Sequence, residues 1–151
     1  MAIQVTLLSV RPGAAHQPAL ESVAHDYLQR CGKTLPSTAR VFRVEKMLMD
    51  FVGDEKRASA ALFWIADLGG KSLDSVAFAE RIREARDNGI RRLMLAIGPA
   101  DGWSEEARKL ADLRISLGAM TLPHELAWLV LSEQIYRAST ILQGHPYHLG
   151  H

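Results

Sequence analysis

Several groups of residues in this chain have types and spacings that could do chemistry. His145-Pro146-Tyr147-His148 gathers two imidazoles and a phenol around a proline, groups able to donate, accept or move a proton. Glu133 and Arg137 stand four apart in the favoured orientation for a helical ion pair, which by itself is a structural arrangement. Ile97-Gly-Pro-Ala-Asp-Gly102 and Leu117-Gly-Ala-Met-Thr-Leu-Pro-His124 break apolar runs with glycine and proline. Breaks of that kind open backbone at a sheet's carboxyl edge, where open α/β folds bind ligands. Gly98 and Gly102 do not make the dinucleotide fingerprint, because G-x-x-x-G is not G-x-G-x-x-G. Gly70-Lys71-Ser72 looks like the tail of a phosphate-binding loop, but Ile65 occupies the place of that loop's first glycine. A turn is expected there instead.

Other chemistries find less support. His145, His148 and His151 are spaced like metal ligands, yet Pro146 prevents regular helix and no cysteine or carboxylate lies nearby. No metal is expected. No serine sits in G-x-S-x-G, and Cys31 has no local partner that would activate it.

The elements that must position these groups can be read from periodicity. Strands are expected at Gln4–Val10, Ala39–Val44, Ala61–Asp67, Arg92–Gly98 and Leu113–Leu117. Ala61–Asp67 and Arg92–Gly98 are continuous apolar runs, as in buried parallel strands. Helices are expected at Pro18–Arg30, from Asp74 or Ser75 to Asn88, from Ser104 as N-cap, and from His124 to about Leu142. Leu68-Gly-Gly-Lys71 reads as a turn, and Glu45–Ala60 as an exposed connection with a little helix. The first turns of the last helix are apolar on most sides, so it is expected to be buried or packed on another subunit. Strands alternating with helices predict one α/β domain over residues 1–151, with a mostly parallel sheet and helices on both faces.

Composition narrows the function classes. With 151 residues the chain can bury a core without staples, and its single cysteine fits a reducing cytoplasm. No apolar run approaches the roughly 20 residues that span a bilayer, and Ala2–Val10 reads as a strand rather than a signal peptide. Eighteen basic and seventeen acidic residues give a net charge of +1. That argues against gripping naked nucleic acid mainly by neutralising phosphates, but leaves room for RNA held in a structured particle.

Taken in order, Ile97-Gly98, Asp101-Gly102, Met120-Thr-Leu-Pro-His124, Glu133-Gln-Ile-Tyr-Arg-Ala138 and Gly144-His-Pro-Tyr-His148 resemble the ribosomal large subunit methyltransferase H family of small SPOUT-class enzymes. The likeness extends through Asp67, Gly70 and Lys71 to Gly89, while the amino-terminal third is similar in length and strand order only. The resemblance implies a homodimer with a deep trefoil knot near the carboxyl end. It implies S-adenosylmethionine bound by three loops, here Ala66, Gly98 and the stretch Leu117, Gly118, Ala119, Met120, Thr121 and Leu122. It further implies methylation of N3 of a pseudouridine in 23S ribosomal RNA of the assembled ribosome, in the cytoplasm. Tyr147 and His148 match the family's ending and become the candidate catalytic residues, with His124, Arg137 and His145 as candidate substrate contacts.

The chain departs from the family's pattern at Pro99, where a second glycine is usual, and at Trp128 and Leu149, where arginine is usual. Proline removes one amide donor, and lost arginines remove bidentate phosphate contacts. Arg114, Arg137 or groups from a partner subunit are the candidates to supply the missing cations. The alternative expectation is a catalytically weakened paralogue that binds the ribosome or the cofactor on the same fold.

Overall fold

A computed structural model describes residues 2–13 and 17–150. Five strands, β1 (Gln4–Val10), β2 (Ser37–Phe42), β3 (Ala61–Ser72), β4 (Arg92–Ile97) and β5 (Leu113–Ser116), form one sheet in the order β2-β1-β4-β3-β5. Every pairing is parallel. Five helices connect and cover it: α1 (Pro18–Arg30), α2 (Glu45–Ala58), α3 (Ser75–Asp87), α4 (Glu105–Leu110) and α5 (His124–Gln143).

The apolar runs expected of buried strands fill two cores, because neighbouring residues of a strand point to opposite faces. Val5, Leu7, Trp64, Leu93 and Leu95 pack with Leu28 of α1, Phe78 and Ile82 of α3 and Leu131 and Ile135 of α5. On the other face Leu8, Phe63, Ile65, Met94 and Ala96 pack with Leu48 and Val52 of α2 and Ala107 of α4. Helices therefore cover both faces. Two helix starts follow from capping: Asp74 accepts from the Ala77 amide at 2.7 Å, and Ser104 from the Ala107 amide at 3.1 Å.

Three expectations need correction. Glu45–Ala60 is no loose connection but holds the full helix α2, because Leu48 and Val52 recur on one face and are fully buried. The second strand begins and ends two residues earlier than expected, since its pairing with β1 runs from Val5 opposite Ser37 to Val10 opposite Phe42. Leu68-Gly-Gly-Lys71 does not turn the chain. β3 continues to Ser72 through an irregularity between Ala66 and Lys71, after which Lys71 and Ser72 pair with Ile115 and Ser116.

That irregularity explains one glycine. A Cβ on Gly70 would lie 2.7 Å from the Arg114 carbonyl carbon and the Ile115 amide nitrogen, both backbone atoms of β5. Gly69 has nothing within 4 Å of the same position. Gly70→Ala is expected to lower unfolding free energy by about 1–3 kcal/mol through overpacking, with Gly69→Ala far milder. Urea denaturation of both variants checks this, and equal losses would show that the close approach of β3 to β5 is not what selects Gly70.

Candidate functional site

The carboxyl ends of β3, β4 and β5 converge on one side of the molecule. The segments that follow them, with the start of α5, enclose an open cleft of about 850 Å³. Seven of the eight residues expected to hold a cofactor line it: Ala66, Gly98, Leu117, Gly118, Met120, Thr121 and Leu122. Ala119 is exposed and lies outside the lining.

The cleft's floor is set by a residue that sequence reasoning missed. Trp103 is buried, and its indole Nε1 donates to the Ala66 carbonyl at 2.8 Å, tying the loop after β4 to β3. Gly98 lies under that indole: a Cβ there would come within 2.6 Å of Trp103 Cε2. The glycine is thus required by the tryptophan, before any ligand is considered. A tryptophan between Gly102 and the N-cap Ser104, in an otherwise small and polar loop, was the available signal.

The opposite wall has unspent backbone. Gly118 adopts φ +124°, a conformation that disfavours a side chain, and its amide and carbonyl are both engaged by the Ser116 hydroxyl at 3.1 Å. Beyond it, Ala119, Met120, Thr121 and Leu122 make no backbone–backbone hydrogen bond among the described residues. Such groups can read a flat heteroaromatic ring without charged side chains.

Charge enters from a third direction. Asp67, read in the sequence only as the end of a strand, accepts on Oδ2 from Arg108 Nε at 3.3 Å and Arg114 Nη1 at 3.1 Å. Arg108 also donates to Glu105 at 3.1 Å. All four residues line the cleft.

His124 opens α5 and sits at the edge of the cleft. Its Nε2 lies 2.8 Å from Ser9 Oγ of β1. Burial, and then the nearby Arg11 guanidinium, push its pKa below the ordinary histidine value, so the imidazole is neutral at pH 7. Behind it Arg11 bridges Glu21 at 2.9 Å and Glu125 at 3.7 Å, beside the buried Trp128. Trp128 thus serves the core, and Arg11, just after the end of β1, supplies a cation in the same corner.

Tyr147, His148 and Arg137 do come together, around Glu133. Glu133 accepts from Arg137 Nη2 and from the Tyr147 hydroxyl, each at 2.8 Å. Arg137 Nη1 lies 3.0 Å from His148 Nδ1. A guanidinium can only donate, so Nδ1 is the acceptor and a neutral His148 carries its proton on Nε2. Burial and the hydrogen bond to Glu133 push the Tyr147 phenol up to about 12. Its ring packs on Tyr136 with centroids 4.8 Å apart and under the Arg137 guanidinium at 4.9 Å. His145 joins only locally: it is exposed, and its Nδ1 accepts from the Tyr147 amide at 3.2 Å.

None of Arg137, His145, Tyr147 or His148 lines the cleft. Helix geometry gives the scale. Glu133 and Arg137 follow His124 by nine and thirteen residues of α5, which at 1.5 Å per residue separates them by roughly 14 and 20 Å along its axis. The candidate residues of one chain therefore fall into two separate groups, a cleft and a tail cluster. His145 and His148 do not converge with other metal-ligating groups among the described residues, and His151 lies outside them. No described helix is long and apolar enough to cross a membrane.

Residues 3–148 match a family model described as "Predicted SPOUT methyltransferase". The chain is 39% identical over 139 residues to the "Ribosomal RNA large subunit methyltransferase H" of Koribacter versatilis, covering 92% of this chain and 94% of that one. It is 35% identical to the protein of the same name from Bartonella bacilliformis, in an alignment of 160 residues that covers 97% and 99% respectively. Among solved structures, the SpoU methyltransferase AviRb of Streptomyces viridochromogenes, in complex with AdoMet, resembles it with a TM-score of 0.55 at 16% identity. That likeness spans 95% of this chain and 59% of the other, and it speaks for the fold.

Proposed function

The chain belongs to the SPOUT methyltransferase family, and from that premise we propose that it is an S-adenosylmethionine-dependent methyltransferase acting on 23S ribosomal RNA. The finer reading is transfer to N3 of a pseudouridine on the assembled ribosome, by a cytoplasmic homodimer with the trefoil crossing the family resemblance implies. One observation carries the cofactor assignment: seven of the eight expected residues line one cleft, whose Met120–Leu122 wall leaves backbone donors and acceptors unspent. The relatives named for ribosomal RNA methylation, similar over nearly their whole length, support the substrate class.

The residues present fit that cofactor. Backbone of Met120–Leu122 suits an adenine, and apolar Ile97, Leu117 and Leu122 suit the ribose and thioether flanks. When bound, S-adenosylmethionine supplies an electrophilic methyl on a sulfonium sulfur. The chain's own task is then to orient the nucleobase and deal with the N3 proton. In the tail cluster Glu133 is the anion, but it already accepts from Arg137 and Tyr147. The N3 proton of a uracil is weakly acidic and passes to solvent water, and His148 offers an Nε2–H suited to stabilising the uracil carbonyl as N3 becomes anionic. Arg137 fixes that tautomer and keeps Tyr147 in place.

The axial separation of cleft and tail cluster supports a dimeric site. A donor in the cleft of one chain and the Tyr147–His148 pair of that same chain lie too far apart for direct transfer, which needs reacting atoms about 3–3.5 Å apart. A second copy that lays its tail cluster across the cleft would close the gap. Near-neutral charge fits a substrate already positioned within a ribosome.

The decisive experiment incubates the protein with methyl-labelled S-adenosylmethionine and either unmethylated ribosomes or free RNA, and maps modified nucleotides by mass. Methyl incorporation into a pseudouridine of 23S RNA in ribosomes, and not in free RNA, is the expected result. Absence of cofactor binding by calorimetry would end the reading. Binding without transfer would select the weakened paralogue, which the replacement of arginine by buried Trp128 favours.

A further inference from the structure

The cleft contains a charged cluster that methyl transfer, as argued above, leaves without a task. The Asp67 side chain is 11% exposed, whereas those of Arg108 and Arg114 remain 33% and 44% exposed. A guanidinium has five N–H donors. Arg114 spends one of them on Asp67, and Arg108 divides its own between Asp67 and Glu105. Both arginines use Asp67 Oδ2, and Oδ1 makes no hydrogen bond among the described residues. Asp67 is largely covered while both guanidinium heads stay open to solvent, so their spare donors can meet a ligand that enters the cleft.

The pattern of charge restricts what can bind. Two cations and two carboxylates sum to zero across Asp67, Glu105, Arg108 and Arg114. A phosphate would meet the arginines but also the carboxylates, and a metal or simple cation would meet the reverse. A group bearing both signs on neighbouring atoms satisfies both halves. The α-ammonium and α-carboxylate of an amino acid share one carbon, and S-adenosylmethionine ends in that pair.

The geometry points to Arg114 and Arg108 as the groups that bind the cofactor's α-carboxylate, and to Asp67 as the group that binds its α-ammonium. The inference rests on the cofactor assignment above and extends it to the amino-acid end. The nucleoside then falls toward the open backbone of Met120–Leu122. The two walls of the cleft divide the ligand by chemistry: ionic on the side of β3 and α4, neutral and backbone-read on the side after β5.

Calorimetry on the full chain with three probes tests it. S-adenosylmethionine carries both charges of the amino acid, its decarboxylated form keeps the ammonium only, and 5′-methylthioadenosine lacks that end altogether. The wild type is expected to bind S-adenosylmethionine at least about tenfold more tightly than the decarboxylated form, the lower end of what a charge-assisted hydrogen bond contributes. Arg114→Ala combined with Arg108→Ala should bring those two affinities together, and leave that for 5′-methylthioadenosine within about twofold. Asp67→Asn should narrow the gap between the decarboxylated form and 5′-methylthioadenosine.

Equal wild-type affinity for S-adenosylmethionine and its decarboxylated form overturns the inference without need of any variant. So does an arginine variant that loses ribosome affinity while keeping its probe ratios, because the arginines would then serve RNA phosphate. A wild type that binds none of the three instead removes the cofactor assignment, a distinguishable failure.

Discussion

Arg137→Ala is expected to slow methyl transfer to ribosomes by about a hundredfold while leaving S-adenosylmethionine affinity unchanged. Arg137 holds three things at once. Its Nε and Nη2 contact the two carboxylate oxygens of Glu133 at 3.4 and 2.8 Å, its Nη1 meets His148 Nδ1, and its guanidinium lies over the Tyr147 ring. Alanine removes the partner that, among the described residues, fixes which His148 nitrogen carries the proton. Misplacing a proton-handling group typically costs about 10²–10⁴ in rate, and the remaining Tyr147–Glu133 bond argues for the lower end. Arg137→Lys restores the charge but not the fork, so it should recover Glu133 pairing and only part of the rate. Cofactor affinity should not move, because the Arg137 guanidinium is already engaged by Glu133 and His148 and does not line the cleft of its own chain.

The same cluster fixes a pH signature. The folded pKa of Tyr147, about 12, lies above the ordinary value of 10 for a phenol. Its protonated form is therefore favoured by folding, a contribution present in full below pH 10 and lost as pH rises from 10 to 12. Across the working range of a ribosome the phenol stays protonated and donates to Glu133. The rate profile should show no limb from Tyr147 below pH 10. Single-turnover rates and calorimetry on the two Arg137 variants separate the possibilities: a parallel loss of cofactor affinity, or a rate equal to wild type, would remove Arg137 from its role.

Much of this arrangement could be read before any coordinates, and the misses share a cause. Alternating burial made Leu7 and Leu8, or Phe63 and Trp64, predictable occupants of opposite cores, and local caps such as Asp74 and Ser104 work within three residues. Gly69-Gly70 was read as a turn because a glycine demanded by a neighbouring strand is indistinguishable, in sequence, from one demanded by a reversal of the chain. Asp67 meets Arg108 and Arg114 across 41 and 47 residues, so no local window contains the cluster. Seven of the eight residues the resemblance implies for a cofactor line one cleft, yet it gave no reason for Gly98 beyond ligand approach.

Gly98→Ala is expected to destabilise the fold by about 1–3 kcal/mol and to weaken S-adenosylmethionine binding at least tenfold. The backbone does not forbid alanine, since Gly98 is not among the positive-φ residues. The obstacle is Trp103. A methyl at Gly98 would stand 2.6 Å from Cε2 and 2.8 Å from Cδ2 and Nε1 of an indole that is buried, that packs edge-on to Phe63 and that donates to the Ala66 carbonyl. The ring can yield only by leaving that carbonyl, which frees the loop after β4 from β3 and reshapes the cleft floor. A double-mutant cycle isolates this cause. Trp103→Leu alone should cost about 1–3 kcal/mol, because it strands the Ala66 carbonyl and opens space in the core. Added to Gly98→Ala, it should cost much less than the sum, since the smaller side chain makes room for the methyl. Additive losses in denaturant unfolding would mean that the two residues do not compete for space, and the glycine would then have to be explained by the ligand after all.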